Sequence, residues 1–421
     1  MNEYMSCKTV LLWTVAFLFC CPVLKAQEGE GIIFIPIKKA NGDIIALLYE
    51  MESPHFQDPK VPRFLLYDQK RKFALGIGGF VRMTASYDFN GISDNIDFVP
   101  YDIPVPNNPA EHNQFQMDAS TSRIFFELVG SNRLLGDFNV YIESDFRGLN
   151  KNFKLRQAYI SFRGFLFGRS WSTYSDVASV PPTIDNAGPN ANTSEQNVQI
   201  RYTYEPNEHW QMALAAEYPR LSATYNVYNE PIPQRVPDIP LYVQYVWKNK
   251  SHLRATGLLR TLSYRNLNTE ENKNLLGWGI QLSGVYNTCP QVSLYYQGMF
   301  GKGITRYIND LSGDGLDMVP RSDDSGQMQL LPTFSFLAGI RYNFNDSWFA
   351  SASYSQVRLY DKNGYYQPDG YKYARYIVGN LFWDMTEDCR LGLEYLYGRR
   401  KNMDLKTGHA NRIQFMAQYN F

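Results

Sequence analysis

The sequence lacks an excess of either charge, because its 41 Lys and Arg residues balance its 41 Asp and Glu residues. No bulk charge therefore points to nucleic acid or to an acidic partner. Beyond its N-terminus it also lacks long apolar runs, whereas a membrane-spanning helix needs roughly 20 consecutive apolar residues. Its mean hydropathy of −0.37 is typical of a soluble protein and excludes a bundle of membrane-spanning helices.

Cysteine is also scarce, with five residues, of which Cys7, Cys20 and Cys21 lie close to the N-terminus. The remaining pair, Cys289 and Cys389, is too small a set for a disulfide scaffold and has no metal-ligand spacing. An oxidising compartment would allow a bridge between them. Two unpaired residues in tight turns are the preferred interpretation. We expect no metal and no cofactor.

The N-terminus has the pattern of a secretory signal peptide, which we assign to residues 1–26. Lys8 precedes an apolar stretch over 10–24, and a small residue, Ala26, precedes the polar run that opens at Gln27. A charged start, a short apolar core and a small residue at the end are the signals that export requires. The alternatives are a single anchor helix and a lipoprotein modified at Cys20 or Cys21, which bulky Phe19 disfavours.

A segment of about ten residues, apolar at every second position and closed by turn residues, recurs after residue 76. Residues 122–130 (SRIFFELVG), 198–205 (VQIRYTYE) and 333–344 (TFSFLAGIRYNF) are clear examples. Counting such segments gives about sixteen, and short connections alternate with long ones. This layout predicts an all-β fold over 76–421, a transmembrane antiparallel barrel with short periplasmic turns and long extracellular loops. The terminal Phe421 is typical of strands that the barrel assembly machinery recognises.

Residues 27–75 fit the barrel pattern less well. The stretches 32–37 and 44–49 flank an Ala-Asn-Gly-Asp turn and predict a short hairpin. A segment of this size is too small for the globular plug of an active transporter. We expect a short periplasmic extension.

The expected function of a barrel of this size depends on its pore wall, because about sixteen strands leave an aqueous lumen. Strand alternation predicts these inward-facing arginines: Arg82, Arg123, Arg147, Arg156, Arg169, Arg201, Arg254, Arg260, Arg341 and Arg412. The predicted inward-facing carboxylates are fewer, namely Glu127, Glu143, Asp145, Glu205, Glu217 and Glu394.

Two interpretations of these arginines stay open. They pair with carboxylates, for which Glu127, Glu143 and Glu217 are the expected partners, or they form a ladder that guides anions. We favour the ladder. The loop 177–197, the third long one, is expected to fold inward and form the constriction, with Asp185 capping it or pairing with a wall arginine.

Aromatic residues make up 15% of the chain, with 31 Tyr and 26 Phe. Such residues are enriched at membrane interfaces, where an apolar ring meets water. Those expected on the outward face, against outer-membrane lipid, are Tyr87, Tyr202, Tyr204, Trp247, Trp278, Tyr342, Tyr395, Tyr397 and Tyr419.

Several stretches of the sequence resemble the DcaP-like porin family over residues 79–421. They include GGFVRMTASYDF (78–89), STSRIFFE (120–127), YIESDFRG (141–148), FGRSWSTYSD (167–176), PTIDNAGPNAN (182–192) and NLFWDMTEDCRLGLEYLYGRR (380–400). The resemblance implies a homotrimeric diffusion porin of the Gram-negative outer membrane that favours small anionic solutes such as dicarboxylates. The sequence departs from the family in two respects. Residues 27–75 carry no apolar heptads, whereas other members can carry a coiled coil before the barrel. Arg169 stands where Gln is common in the family.

The sequence therefore predicts a porin for passive diffusion of small hydrophilic solutes, with a preference for anions. A structural or adhesive barrel without transport is the alternative. We do not expect an enzyme, since no Gly-x-Ser-x-Gly motif occurs and two of the five histidines, His209 and His252, lie at short periplasmic turns.

Overall fold

The structure, a computed structural model, describes residues 48, 55–60, 62, 64–67, 73–92, 94–361 and 367–421. The predicted signal peptide lies outside these residues, and so does the predicted hairpin of 32–49 apart from Leu48. The described residues form mostly β-strands, because alternation of apolar and polar side chains gives each strand one apolar and one polar face. Within these ranges, none of the helices combines the length and the apolar character needed to cross a membrane.

Twenty-one strands occur in the described residues. In chain order they are β1 (Phe64–Tyr67), β2 (Phe73–Asn90), β3 (Gln114–Asp118), β4 (Arg123–Asn132), β5 (Gly136–Asp145), β6 (Lys154–Phe162), β7 (Phe165–Trp171), β8 (Gln196–Tyr204), β9 (Trp210–Glu217), β10 (Asn229–Pro231), β11 (Ile239–Val246), β12 (His252–Asn266), β13 (Glu271–Cys289), β14 (Val292–Lys302), β15 (Val319–Pro320), β16 (Met328–Gln329), β17 (Pro332–Asn343), β18 (Trp348–Leu359), β19 (Tyr371–Asp384), β20 (Cys389–Asn402) and β21 (Thr407–Asn420). Short 3-10 turns lie at Pro100–Asp102, Pro109–Glu111, Leu149–Lys151, Val177–Ser179, Thr305–Tyr307 and Asn309–Leu311.

The main sheet is a closed antiparallel barrel of 16 strand positions, which confirms the predicted fold class. β3 and β4 share one position, since they pair with successive parts of β2. The barrel closes where β2 pairs with β21, beginning at Phe80↔Asn420. β1 and β10 add short pairings to β2 and β12, and β15 and β16 form a separate small sheet. Closure leaves no edge whose amide and carbonyl groups would meet lipid without a partner.

Connections of unequal length lie at the two ends of the barrel. One end, here called the short-turn end, carries 133–135, 163–164, 205–209, 247–251, 290–291, 344–347 and 385–388. The other, the loop end, carries 91–113, 146–153, 172–195, 218–238, 267–270, 303–331, 360–370 and 403–406. Two of the latter have only four residues, so the lengths alternate less strictly than predicted. Phe421 exchanges two backbone hydrogen bonds with Gly79 and thereby fixes the C-terminus at the short-turn end.

The outward face of the barrel is apolar, as a lipid-facing wall requires. Large side chains such as Val81, Leu276 and Ile280 are 56–67% exposed there. Tyr202, Tyr342 and Tyr419 also lie exposed on this face. These aromatic side chains therefore lie where interfacial girdles are expected.

The lumen is not an empty tube, because loops 172–195 and 303–331 fold into it. Tyr174 of the first loop and Ile304, Tyr307 and Leu311 of the second are fully buried in an apolar cluster. The cluster packs against inward-facing wall residues such as Leu337. The loops thus fill the side of the lumen next to β14, β17, β18 and β19.

The position of the cysteines offers a test of the barrel's orientation. Cys289, which is exposed, and Cys389 both lie at the short-turn end and are unpaired. If this end faces the periplasm, a polyethylene-glycol maleimide too large for a porin should label them only after the outer membrane is permeabilised. A Val227→Cys variant, at an 80% exposed position of loop 218–238, should be labelled on intact cells as well. Labelling of the wild-type protein on intact cells would contradict this orientation.

Candidate functional site

Residues 172–195, here called the constriction loop, leave β7 and enter the lumen. At the root of the loop, the Glu217 carboxylate accepts hydrogen bonds from Ser172 Oγ at 2.9 and 3.0 Å and from Thr173 N at 2.7 Å. The loop therefore does not project outward from β7, because a buried carboxylate on β9 binds its first residues.

Asp176 holds the next part of the constriction loop against the wall. Its carboxylate lies 2.9 Å from His252 Nε2 and accepts a hydrogen bond from Ser283 Oγ at 2.7 Å. Burial alone would raise the pKa of Asp176, but Arg254 and His252 hold it well below its usual value. The ionised carboxylate thus fastens the loop to β12 and β13.

The tip of the constriction loop is bound by Glu394 on β20. The Glu394 carboxylate accepts hydrogen bonds from Ile184 N at 2.7 Å and Asp185 N at 2.9 Å. Beside them, the Pro182 carbonyl accepts from Ser351 Oγ at 2.6 Å. The loop therefore crosses the lumen to the opposite wall. Loop 177–197 was predicted as the constriction, and the segment that crosses is 172–195, since β8 begins at Gln196.

Asp185 does not pair with a wall arginine, in contrast to one of the two roles expected for it. Its carboxylate accepts hydrogen bonds from Phe98 N at 3.2 Å and from Tyr376 Oη at 3.0 Å. Burial, together with the nearby carboxylates of Asp97 and Glu394, raises the pKa of Asp185 to about 8. A neutral Asp185 thus joins the constriction loop to loop 91–113 and to β19.

Loop 303–331 was predicted only as a long loop, yet it is a second inward element. Its backbone binds the constriction loop, with Asn309 N donating to the Asn192 carbonyl at 3.1 Å. Tyr307 Oη donates to Asp238 at 2.9 Å, and Arg306 pairs with Glu195 at 2.5 Å. The apolar residues spaced along this loop, among them Ile304 and Ile308, were the signal in the sequence that it is buried.

A third element, residues 55–60, reaches the lumen side of the wall from the N-terminal part of the chain. Gln57 Nε2 donates to the Asp185 carbonyl at 2.6 Å, and Asp58 accepts from Arg123 and Trp171, each at 2.9 Å. Phe56 packs its ring 5.2 Å from that of Phe382. Residues 27–75 were expected to be a periplasmic extension, and Phe56, Gln57 and Asp58 of this segment contact the barrel's interior. No periodic pattern in the sequence indicated this.

Two of the cavities lined by described residues lie along the other wall, the first next to β5–β7 and the second extending from β5 to β12. The outer cavity measures about 290 Å³ and is lined by Arg156, Arg169 and Asn309, among others. The inner cavity, nearer the short-turn end, measures about 630 Å³ and is lined by Arg201 and Arg254, among others. Trp171 lines both cavities. The two cavities therefore adjoin at Trp171.

The ten predicted arginines separate into groups with different surroundings. Arg260 is 1% exposed and pairs with Asp238 and Asp317, each at 3.0 Å. Arg412 is fully buried and pairs with Asp88 at 2.6 Å. Both were expected to line the pore. Arg260 instead joins loops 218–238 and 303–331 to β12, and Arg412 joins loop 91–113 to β21 through hydrogen bonds to two of its carbonyls.

Arg82 and Arg341 also lie away from the two cavities. Arg82 is 2% exposed and donates to Gln418 at 2.7 Å and to Gln57 at 3.3 Å. The Arg341 guanidinium lies 4.1 Å from the centre of the Phe349 ring. Neither side chain lines the outer or the inner cavity among the described residues.

Three arginines at the outer cavity are paired with carboxylates. Arg123 lies 3.3 Å and Arg156 2.6 Å from Glu143, and Arg156 also lies 3.2 Å from Asp145. A β-bulge in β6 turns both Arg156 and its neighbour Gln157 toward Glu143. The third, Arg147, makes a bidentate pair with Asp97 of loop 91–113.

Arg169 and Arg201 have no carboxylate partner among the described residues. Arg201 lies inward, since it pairs in the sheet with buried Leu166 and Ala215, and its Nε is buried without a hydrogen bond. Its Nη1 donates a long hydrogen bond to the Trp171 carbonyl at 3.5 Å. Arg254 is only weakly paired, because its Nη1 lies 4.0 Å from Asp176 Oδ1. Its guanidinium carbon lies 4.0 Å from the centre of the Tyr242 ring.

Arg169 reaches the outer cavity by a route that alternation did not predict. It pairs in the sheet with Val198, which is exposed on the outward face, and with Ala158. The ladder between β6 and β7 ends at that last pair, however, and Arg169 Nε donates to the Arg156 carbonyl at 3.0 Å. The guanidinium thus lies where the two strands separate.

Two carboxylates expected as arginine partners have other roles. Glu127 accepts a hydrogen bond from Asn139 at 2.8 Å and forms no ion pair within the described ranges. Glu217 binds the root of the constriction loop, as described above. No group of three or more His, Cys, Asp or Glu side chains in the described ranges could hold a metal ion.

Comparison with known proteins identifies a family and a fold. The sequence matches the family described as DcaP outer membrane protein over residues 66–421. The crystal structure of the outer membrane channel DcaP of Acinetobacter baumannii superposes with a TM-score of 0.73 at 19% identity, covering 85% of this chain and 99% of that chain.

More distant solved structures share the barrel. OmpT of Vibrio cholerae, folded in vitro, gives a TM-score of 0.54 at 12% identity, covering 85% of this chain and 99% of its own. An anion-selective porin from Comamonas acidovorans gives a TM-score of 0.53 at 12% identity, covering 83% of this chain and 100% of that chain. No curated protein matched the sequence.

The buried contacts of Asp185 predict that current fluctuations of the barrel depend on pH. A carboxyl whose pKa is raised stabilises the folded contact at low pH and loses that contribution as pH rises through about 8. Above that value, an ionised Asp185 repels Asp97 and Glu394. Current fluctuations in planar bilayers should therefore increase from about pH 6 to about pH 9.

An Asp185→Asn variant, which cannot ionise, should show no such increase. Asp346→Asn, which removes an exposed carboxylate at turn 344–347, should behave as the wild type does. The same increase in the Asp185→Asn variant would contradict the assignment.

Proposed function

Since the chain belongs to the DcaP outer membrane protein family, we propose that it is a porin through which small hydrophilic solutes diffuse, with a preference for small carboxylates. The outer membrane is its location. The preference for anions rests on one observation, namely that Arg169 and Arg201 line the two cavities and have no carboxylate partner in the described part of the chain.

Electrostatic attraction favours anions in these cavities. A guanidinium keeps its charge at any physiological pH and matches the two oxygens of a carboxylate. Where a neighbouring carboxylate already occupies it, as Glu143 does for Arg156, it contributes little to the field in the passage. Arg169 in the outer cavity and Arg201 in the inner one remain available. A solute anion entering from the loop end thus meets one and then the other.

The two cavities limit the size of the solute. A volume of about 290 Å³ holds about ten water molecules at about 30 Å³ each. The outer cavity therefore suits a small carboxylate better than a polymer. Trp171 forms the boundary to the inner cavity, and its Nε1 is held by Asp58. Selectivity would then arise from width together with the charge of the lining side chains.

The remaining features of this proposal follow from the sequence and the relatives. Residues 1–26 direct export, and Phe421 at the end of β21 engages the barrel assembly machinery. The short turns face the periplasm and the long loops face the outside. We further propose a homotrimer, the form in which one structure of Vibrio cholerae OmpT is described.

Bilayer recordings under a salt gradient test the proposed function. We expect stepwise conductance and a reversal potential that favours chloride. Arg169→Gln and Arg201→Gln should each shift the reversal potential toward potassium, because each removes an unpaired cation from the passage. Arg133→Gln at turn 133–135 removes an equal charge outside both cavities and should leave the reversal potential unchanged.

The alternative role predicts a different result. A correctly folded, heat-modifiable barrel without conductance would support a structural or adhesive function, in which the inward loops close the lumen. A wild-type conductance that favours potassium would still support a porin. It would contradict the proposal that the arginines give a preference for anions.

A further inference from the structure

The outward face of the barrel carries a group of cations close to the loop end, on three adjacent strands. They are Arg358 on β18, Arg375 on β19, and Arg399 and Lys401 on β20, here called the outer basic patch. Arg375 lies directly opposite Arg399, beside the pair Tyr376↔Gly398, whose tyrosine is buried inside the barrel. Because side chains alternate along a strand, both arginines point outward.

The patch consists of two rows across the strands. Strand register places Gln356, Arg375, Arg399 and His409 side by side in the first row, and Arg358, Tyr373 and Lys401 side by side in the second. The Tyr373 ring joins the rows, since the Arg375 guanidinium lies 5.4 Å and the Lys401 ammonium 6.0 Å from its centre. Arg375 Nε also donates to Gln356 at 3.3 Å.

No carboxylate compensates these charges among the described residues, where none of the four cations forms an ion pair. The sequence of 362–366 (KNGYY) adds no acidic residue either. Like charges directly opposite each other destabilise a sheet, and Arg358 Nε is buried without a hydrogen bond. The arrangement therefore leaves a binding capacity for an anion.

The location of the patch indicates which anion is available. The four cations lie within five residues of the ends of their strands, a distance of roughly 15 Å or less at about 3.3 Å per residue. Toward the middle of the barrel the outward face turns apolar, with Ile377 and Leu381 exposed. The patch thus lies where a membrane's headgroups meet its acyl chains.

We propose that the outer basic patch binds the phosphate groups of a phosphorylated glycolipid in the outer leaflet of the membrane. Arginine side chains match phosphate oxygens with paired hydrogen bonds, and a lysine adds a point charge. The apolar surface below the patch packs against the acyl chains. The inference depends on the loop end facing outward and does not depend on conduction of any solute.

Binding to the purified, full-length mature protein in detergent tests the inference. The probes are bisphosphorylated lipid A, its form without phosphate groups, and inorganic phosphate, and native mass spectrometry measures the bound fraction. We expect the bisphosphorylated lipid to bind, and the other two probes to bind at least tenfold more weakly. In an Arg375→Gln/Arg399→Gln variant, affinity should fall about thirtyfold, at roughly fivefold for each charge.

Two further variants keep the inference falsifiable. Arg375→Lys/Arg399→Lys retains both charges and should bind more tightly than the double glutamine variant. Lys302→Gln/Arg133→Gln removes two charges outside the patch, one of them opposite outward-facing Trp278, and should bind as the wild type does.

Several results would overturn the assignment. One is equal binding of lipid A by the wild type and the double glutamine variant. Inorganic phosphate binding as well as the lipid would indicate a site for the free ion, and equal binding of the phosphate-free lipid would exclude phosphate recognition. Loss of oligomers in the double glutamine variant, with lipid binding unchanged, would assign the patch to contact between copies of the chain.

Discussion

The structure depends on one constraint, which is that lipid offers no hydrogen-bond partner to a backbone amide or carbonyl. A sheet can satisfy this requirement only by closing, and the pairing of β2 with β21 closes it. A barrel of 16 positions, however, encloses a lumen wider than its own wall side chains can fill. The inward loops and the N-terminal segment fill part of that space, and their buried polar groups need partners as well.

Those partners come from the wall. Glu217 and Glu394 bind donors at the root and at the tip of the constriction loop, and His252 and Ser283 bind Asp176 along its path. Removing an acceptor would leave buried amides unpaired, at a cost of about 1–3 kcal/mol for each. The anchored loops leave open space along one wall, where Arg169 and Arg201 are, of the ten predicted arginines, the two without a carboxylate partner among the described residues.

The sequence predicted the barrel and its strand number, because alternation and connection length are local signals. Side-chain pairing could not be predicted in the same way. The role of Glu217 depends on a loop that begins at Ser172, far from it in sequence, and Arg169 reaches its cavity where two strands separate. Residues 55–60 carry no periodicity, so nothing local indicated their contacts with Arg123 and Trp171. The apolar residues of loop 303–331 were a usable signal that was missed.

The central claim is that the lumen is filled on one side and open, with an anion-favouring lining, on the other. Cysteine accessibility during bilayer recording tests both parts, in a background with Cys289 and Cys389 replaced by Ser. Thr203→Cys lines the inner cavity, whereas Ser335→Cys lies fully buried on the filled side. We expect a negatively charged thiosulfonate to block current at position 203 about tenfold faster than a positively charged one, with no reaction at 335. Equal rates for the two reagents, or reaction at 335, would contradict the account.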